Sequence, residues 1–205
     1  MCWSLEVSVI VGTLSYVIAA YLWTRNYLND RWHSIFIFTV STIQFLEAII
    51  WYMNKNGVDT SNVTKIVIMF LIPLVLSLEP ISALFGANIS GIKIDNYDKY
   101  FYIGVSILLL ISMINSTSYP NIFKNGSIVH QKNKTNNIYY ILFYVLLVYP
   151  FIKYNINNPF YILISIVAGI ALALSINKSS PGSIWCLYGN AISLLFLFYP
   201  YITSK

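Results

Sequence analysis

The sequence predicts an all-α membrane protein, a seven-transmembrane helix bundle with its N-terminus outside and its C-terminus in the cytosol. Hydrophobic residues make up 58% of the 205 residues and charged residues only 9%, whereas a soluble domain carries about 25% charged residues. Apolar runs of membrane-spanning length recur along the chain, and the tryptophans lie at their ends. The composition therefore excludes an ordinary soluble globular protein, a disordered chain and a coiled coil.

Seven apolar runs can cross, or nearly cross, ~30 Å of hydrocarbon at ~1.5 Å per residue. They are Ser4–Trp23, Trp32–Met53, Val63–Phe85, Tyr100–Asn115, Ile138–Ile152, Phe160–Ile176 and Ile184–Ile202. The fourth and fifth runs are short, and a polar stretch rich in Asn and Lys separates them. No segment is large enough for a soluble domain, so we expect one domain over residues 1–205.

All five tryptophans lie at the ends of predicted spans, where an amphipathic indole prefers the headgroup layer. Trp3 and Trp23 bracket the first span, and Trp32 and Trp51 bracket the second. Each pair is separated by about one hydrocarbon thickness of helix. We expect Trp32 and its neighbour His33 to lie at the headgroup level.

Flanking charge predicts the orientation. No basic residue precedes the first span, whereas Arg25 and Arg31 follow it, and basic residues favour the cytosolic side of a membrane. The net charge is +5, but the basic residues lie singly between apolar runs. That pattern suits lipid headgroups rather than nucleic acid. The expected partner is therefore the lipid bilayer, in a host endomembrane, plasma membrane or virion membrane, and the oligomeric state stays open.

A stripe of small residues along the first span predicts close helix packing. It repeats every three or four residues and comprises Ser4, Ser8, Gly12, Ser15 and Ala19. Small residues let membrane helices approach one another closely. In the third span, Pro73 and Pro80 each free a carbonyl one turn back and should bend the helix.

The two cysteines are expected near the same face of the membrane. Cys2 opens the first span and Cys186 lies at the start of the seventh. With an odd number of spans, the first and last helices begin on the same side. A disulfide forms if the two Cα atoms approach within ~7 Å; the alternative is two buried, inert thiols.

The three glutamates are the informative residues, because all of them fall within predicted spans. An ionisable group at membrane depth costs about 2.5–3.5 kcal/mol even on the lenient insertion scale, and no Lys or Arg lies deep in a span. We expect Glu6, Gln44, Glu47 and Asn190 to form a polar cluster in the outer half of the bundle, with Glu79 in the inner half. These five are the candidate ligand- or ion-binding residues. The alternative is that protonated carboxyl groups join neighbouring helices as packing glue.

The sequence lacks the motifs of several familiar enzyme classes. The sequence has no H-E-x-x-H motif, no zinc-type Cys/His set and no G-x-S-x-G elbow, which disfavours the usual metal and serine-hydrolase sites. The seventh span has no lysine for a retinal Schiff base. We therefore predict no catalytic residue, no metal and no cofactor.

Three short patches resemble a family of small, uncharacterised multi-pass membrane proteins found in bacteria, microbial eukaryotes and large DNA viruses. Residues 1–4 read Met-Cys-Trp-Ser, as that family opens, and residues 44–51 resemble its Q-x-x-E-A-x-x-W stretch. Trp185 and Cys186 resemble its late Trp-Cys pair. Ile43 stands where some relatives carry histidine, which weakens a proton-relay interpretation. The resemblance covers the whole length and implies the seven-helix layout, but no settled activity.

Three functional classes follow. The first is a non-enzymatic membrane protein that binds or conducts a small cation or proton through the polar cluster. The second is a structural or accessory membrane protein, including a component of a virion, with the glutamates as packing glue. The third is an intramembrane lipid-modifying enzyme that uses Glu6 or Glu47 as a general base, which the missing metal ligands and nucleophile disfavour.

Overall fold

A computed structural model describes residues 4–57, 62–116, 123–124, 127–128, 137–155, 158–177 and 181–203. Side chains are described at 4–57, 62–115, 141–155, 158–171 and 188–201. The expected pairing of Cys2 with Cys186 lies outside these side chains.

The described chain is built from helices. They are α1 (Leu5–Arg25), α2 (Asp30–Lys55), α3 (Asn62–Ile66), α4 (Ile72–Ile89), α5 (Asn96–Ser116), α6 (Asn137–Tyr154), α7 (Pro159–Asn177) and α8 (Pro181–Thr203). A π-helical segment, Val67–Leu71, joins α3 to α4, so these parts form one rod and the described chain has seven rods in all. A two-residue antiparallel pair, β1 (Phe123–Lys124) with β2 (Ser127–Ile128), lies between α5 and α6. The prediction of a helical protein is confirmed.

Four of the rods are long and apolar enough to cross a membrane. They are Leu5–Arg25, Asp30–Lys55, Asn62–Ile89 and Asn96–Asn115. Two shorter apolar helical stretches, Ile141–Tyr154 and Pro159–Ala171, follow them within the described residues.

Helix α5, which corresponds to the fourth predicted span, begins earlier than the sequence predicts. It starts at Asn96 rather than Tyr100, because its polar first turn is held by α6. Asp98 accepts hydrogen bonds from Lys153 Nζ at 2.7 Å and from the Tyr154 hydroxyl at 2.6 Å. The hydropathy pattern missed these residues because their partners lie more than fifty positions away.

Pro73 marks the change of helical register in the third rod. The proline ring removes a backbone N–H in the first turn of α4. The π segment ends directly before α4 begins. There Ile72 N–H donates to Val67 O, five residues back. A π turn is a known way to absorb an interrupted hydrogen-bond ladder.

The central helix is α2, which packs against α1, α4 and α8. The predicted small-residue stripe of α1 faces the bundle, because Ser8, Gly12, Ser15 and Ala19 are all buried, and Gly12 and Ala19 lie against α2. The Ser34 hydroxyl donates to Ala19 O at 2.7 Å across this interface.

Trp32 and His33 face the interior of the bundle rather than its surface, and their expected position at the headgroup level stays a prediction. Both side chains are fully buried. The Trp32 indole stacks on Phe151 with ring centroids 4.8 Å apart, and its Nε1–H donates to Ala83 O at 2.6 Å. His33 stacks on Phe196 at 3.9 Å. Both rings turn into the bundle because neighbouring helices offer acceptors and aromatic faces, whereas Trp23 remains 44% exposed.

We predict that Gly86→Ala destabilises the bundle by about 1–3 kcal/mol, the usual cost of overpacking. A Cβ at Gly86 would lie 2.6 Å from Trp32 Cδ1 and 3.2 Å from Trp32 O. The indole would therefore be displaced from its hydrogen bond with Ala83. Thermal unfolding in detergent, followed by tryptophan fluorescence, measures the loss.

Gly104→Ala is the matched control, because nothing lies within 4 Å of a Cβ at that helical position. It should leave the melting temperature unchanged or raise it slightly, since alanine favours helix over glycine. Equal loss in both variants would contradict the packing account of Trp32.

Candidate functional site

Polar side chains of α1 and α8 meet in the middle of the bundle, where both helices also pack against α2. The Ser15 hydroxyl donates to Asn190 Oδ1 at 3.1 Å, and the Ser193 hydroxyl lies 3.4 Å from that of Ser15. Ser15 and Ser193 are buried, and Asn190 is half-buried. These three residues, together with Ser41 and Gln44 of α2, are called the mid-bundle cluster below.

Gln44 lies between two glycines of neighbouring helices. A Cβ at Gly12 of α1 would lie 3.4 Å from Gln44 Cβ, and one at Gly189 of α8 would lie 3.8 Å from Gln44 Nε2. The Gln44 side chain is 2% exposed. Within the described part of the chain, neither its Oε1 nor Ser41 Oγ, one turn away, has a hydrogen-bond partner. The cluster thus offers buried oxygens that can accept a donor or a cation.

Glu47 extends this cluster by one turn. It follows Gln44 by three residues, so the two side chains share a face of α2. The Glu47 side chain is 3% exposed. Ser41, Gln44 and Glu47 therefore form a line of buried polar groups, each about 4.5 Å along the helix from the next.

Glu79 is the second buried carboxyl group. It is fully buried on α4 and interacts electrostatically with the buried Tyr188 of α8. Glu79 precedes Ala83 by one turn of α4, and Ala83 accepts the hydrogen bond from Trp32 near the start of α2. Because Glu47 lies farther along α2, the two carboxyl groups are about 15 Å apart along the axis of that helix. The structure therefore separates the two buried carboxyl groups along the bundle.

Glu6 is not brought into this cluster. Its side chain is 64% exposed, and its Oε1 lies 3.7 Å from Nζ of Lys55, the last residue of α2. Although no Lys or Arg lies deep in a predicted span, Glu6 therefore has a basic side chain beside it. Because Glu6 lies in the first turn of α1, its charge remains accessible to solvent ions. We call this end of the bundle the Glu6 end and the opposite one the Arg25 end.

Sequence reasoning missed a buried ion pair at the Arg25 end. Arg25 Nε and Nη2 donate to the two Asp30 carboxylate oxygens at 2.6 and 2.8 Å, and Arg25 Nη1 donates to Leu197 O at 3.0 Å. The Asp30 side chain is fully buried. The hydropathy pattern places both residues in a solvated loop. Their opposite charges at the two ends of a four-residue connection were the one feature of the sequence that could have indicated an ion pair.

The chain matches no protein-family model, no curated protein and no solved structure. Among the side chains that the structure describes, no group of three or more His, Cys, Asp or Glu residues could hold a metal ion. Function is therefore inferred from the mid-bundle cluster and the two buried carboxyl groups.

We predict an energetic coupling between Ser15 and Asn190 of about 0.6 kcal/mol, the mean measured for hydrogen bonds between membrane helices, and no more than about 1.7 kcal/mol, the maximum. The coupling comes from Ser15→Ala, Asn190→Ala and the double variant, measured as free energies of unfolding in detergent. A positive value shows that the Ser15–Asn190 hydrogen bond joins α1 to α8.

Thr13→Ala provides the matched control on the same helix, because Thr13 is exposed. Its cycle with Asn190→Ala should show no coupling beyond the error of the measurement. If the Ser15 cycle also gives zero, the hydrogen bond contributes nothing to holding these helices together.

Proposed function

We propose that this protein is an integral membrane protein that binds a small cation or proton at the mid-bundle cluster and passes it across the bilayer. The observation that carries the proposal is the burial of Glu47 beside Gln44, whose Oε1 has no hydrogen-bond partner among the described residues. The four long apolar helices support the membrane location.

The chemistry of these oxygens favours a positively charged ligand. A buried carboxyl group is stable when it is protonated or when a cation lies beside it, because desolvation disfavours an isolated negative charge. Carboxylate and amide oxygens are also the ligands that hard cations prefer. Glu47 and Gln44, which share a helix face, thus provide a binding position that can exchange a proton for a cation.

A path along the bundle follows from the same residues. Ser41, Gln44 and Glu47 line one face of α2, and Glu79 lies farther toward the Arg25 end, within electrostatic range of Tyr188. We propose that the ligand moves between the two buried carboxyl groups. Intramembrane acids arranged in this way are typical of proton and ion pathways.

We propose that the N-terminus is outside and that the Arg25 end faces the cytosol. Arg25 and Arg31 flank the first connection at that end, and the positive-inside rule favours this orientation. Membership of the multi-pass family that the three patches resemble is part of the same proposal.

A second candidate function is a structural or accessory role in a membrane. The hydrogen bond from Ser15 to Asn190 joins α1 to α8, and glycines on both helices lie against Gln44. Such contacts are those expected of polar packing glue. A purely structural protein would carry no ion flux.

Glu47→Gln separates the two candidates. In liposomes with an imposed membrane potential and an internal pH dye, wild-type protein should give proton flux above that of empty liposomes. Since the amide cannot release a proton, the variant should lower that flux at least about tenfold, as expected when an intramembrane acid is the carrier. Repeating the assay with a K⁺ or Na⁺ gradient and an internal dye that responds to that ion identifies a transported metal cation.

Glu6→Gln is the matched control, since it makes the same chemical change at an exposed position near Lys55. Its flux should equal that of the wild type. Absence of wild-type flux for protons and for both metal cations would overturn the transport proposal and favour the structural role. Unchanged flux in Glu47→Gln would exclude Glu47 as the carrier.

A further inference from the structure

A groove lies on the outer surface of the bundle between α1 and α2. Its volume is about 680 Å³, and its lining is almost entirely apolar. The residues that line it are Thr13, Tyr16, Val17, Ala19, Ala20, Trp23, Thr24, Ser34, Ile35, Phe38 and Phe45. They recur at helical spacing, so the groove follows one stripe on each helix.

Aromatic rings in contact with one another line the sides of the groove, and small residues line its base. The Tyr16 ring stacks on Phe38, with ring centroids 4.6 Å apart, and contacts Phe45 at 4.8 Å. The Ser34 hydroxyl at the base of the groove donates to Ala19 O. Its polar group is therefore satisfied, and the base of the groove suits a hydrocarbon.

The length of the groove matches one leaflet of a bilayer. From Thr13 to Thr24 the helix rises about 16 Å, close to half of the ~30 Å hydrocarbon core. Trp23 lies near the Arg25 end of the groove and is partly exposed. An indole at that position suits the headgroup level.

An uncompensated positive charge lies at that end. The guanidinium carbon of Arg31 lies 5.4 Å from the centroid of the Trp23 ring, and Arg31 precedes Ile35 by four residues, on the groove face. Arg25 is paired with Asp30. Among the described residues Arg31 forms no ion pair, and its buried Nε has no hydrogen-bond partner.

We propose that this groove binds an anionic phospholipid, with an acyl chain between α1 and α2 and the phosphate on Arg31. Guanidinium groups bind phosphate through fixed, directional hydrogen bonds. A neutral apolar occupant, such as a partner's helix, would fill the groove but leave the Arg31 donor without an acceptor. This site is separate from the mid-bundle cluster, and it rests on the proposed membrane location but not on ion transport.

The test compares dioleoyl phosphatidylglycerol with dioleoyl phosphatidylcholine, which share acyl chains and differ in net charge. Binding to the purified full chain in detergent is measured by native mass spectrometry and by the shift in melting temperature. We expect phosphatidylglycerol to bind at least about tenfold more tightly. Arg31→Gln should remove this preference, and Ala20→Phe, which fills the groove, should weaken the binding of both lipids.

Two matched controls keep the result specific. Lys93→Gln removes an exposed positive charge at the same end, and Gly104→Phe adds an aromatic ring at a helical position with open space around it. Both should bind phosphatidylglycerol like the wild type, with an unchanged melting temperature without lipid.

Four results would overturn the proposal. They are equal binding of the two lipids, a preference that survives Arg31→Gln, unchanged lipid binding in Ala20→Phe, and equal stabilisation by inorganic phosphate alone. The last would show an anion site that uses no acyl chain. None of these readouts depends on ion flux, so the lipid site and the transport proposal can fail separately.

Discussion

Close approach of helices around α2 is the constraint on which the rest of the structure depends. Gly86 allows the Trp32 indole to reach a carbonyl of α4, and Gly12 and Gly189 allow α1 and α8 to lie against Gln44. A Cβ at Gly86 would overlap the Trp32 indole, whereas one at Gly12 or Gly189 would press on the Phe45 or Val40 side chain at 3.1 Å. Where apolar burial contributes little to helix association, such contacts and the hydrogen bonds between them hold a bundle together.

This packing also determines which polar groups are buried. Drawing α1 and α8 onto α2 encloses Ser15, Gln44 and Asn190; Ser15 and Asn190 bond to each other, whereas Gln44 Oε1 has no hydrogen-bond partner among the described residues. Burial makes these groups costly to leave unsatisfied. The proposed cation position and the alternative role as packing glue both follow from the burial of these polar groups. They differ in whether a bound ligand or a neighbouring helix satisfies the buried oxygens.

The sequence predicted the helical frame well and the environment of individual side chains unevenly. The small-residue stripe of α1 is buried as expected, because its spacing fixes its face. The position of Trp32 and His33 at a span end did not reveal that both rings face the core. Glu6 was grouped with Glu47 by depth, but Lys55 and exposure set it apart. The early start of α5 depends on Lys153, a partner that no local pattern reveals.

The sequence by itself determined the helical class and the approximate positions of the rods, because scarce charges and long apolar runs leave the backbone to satisfy its own hydrogen bonds. It also determined that Ser41, Gln44 and Glu47 share a face, since helical periodicity is local. Only the tertiary structure decided that Asn190 joins Ser15, that Arg25 neutralises Asp30 within the bundle, and that Arg31 lies beside Trp23 without a charged partner among the described residues. Those outcomes depend on which helices lie side by side and how each is rotated, and interactions between distant segments set both.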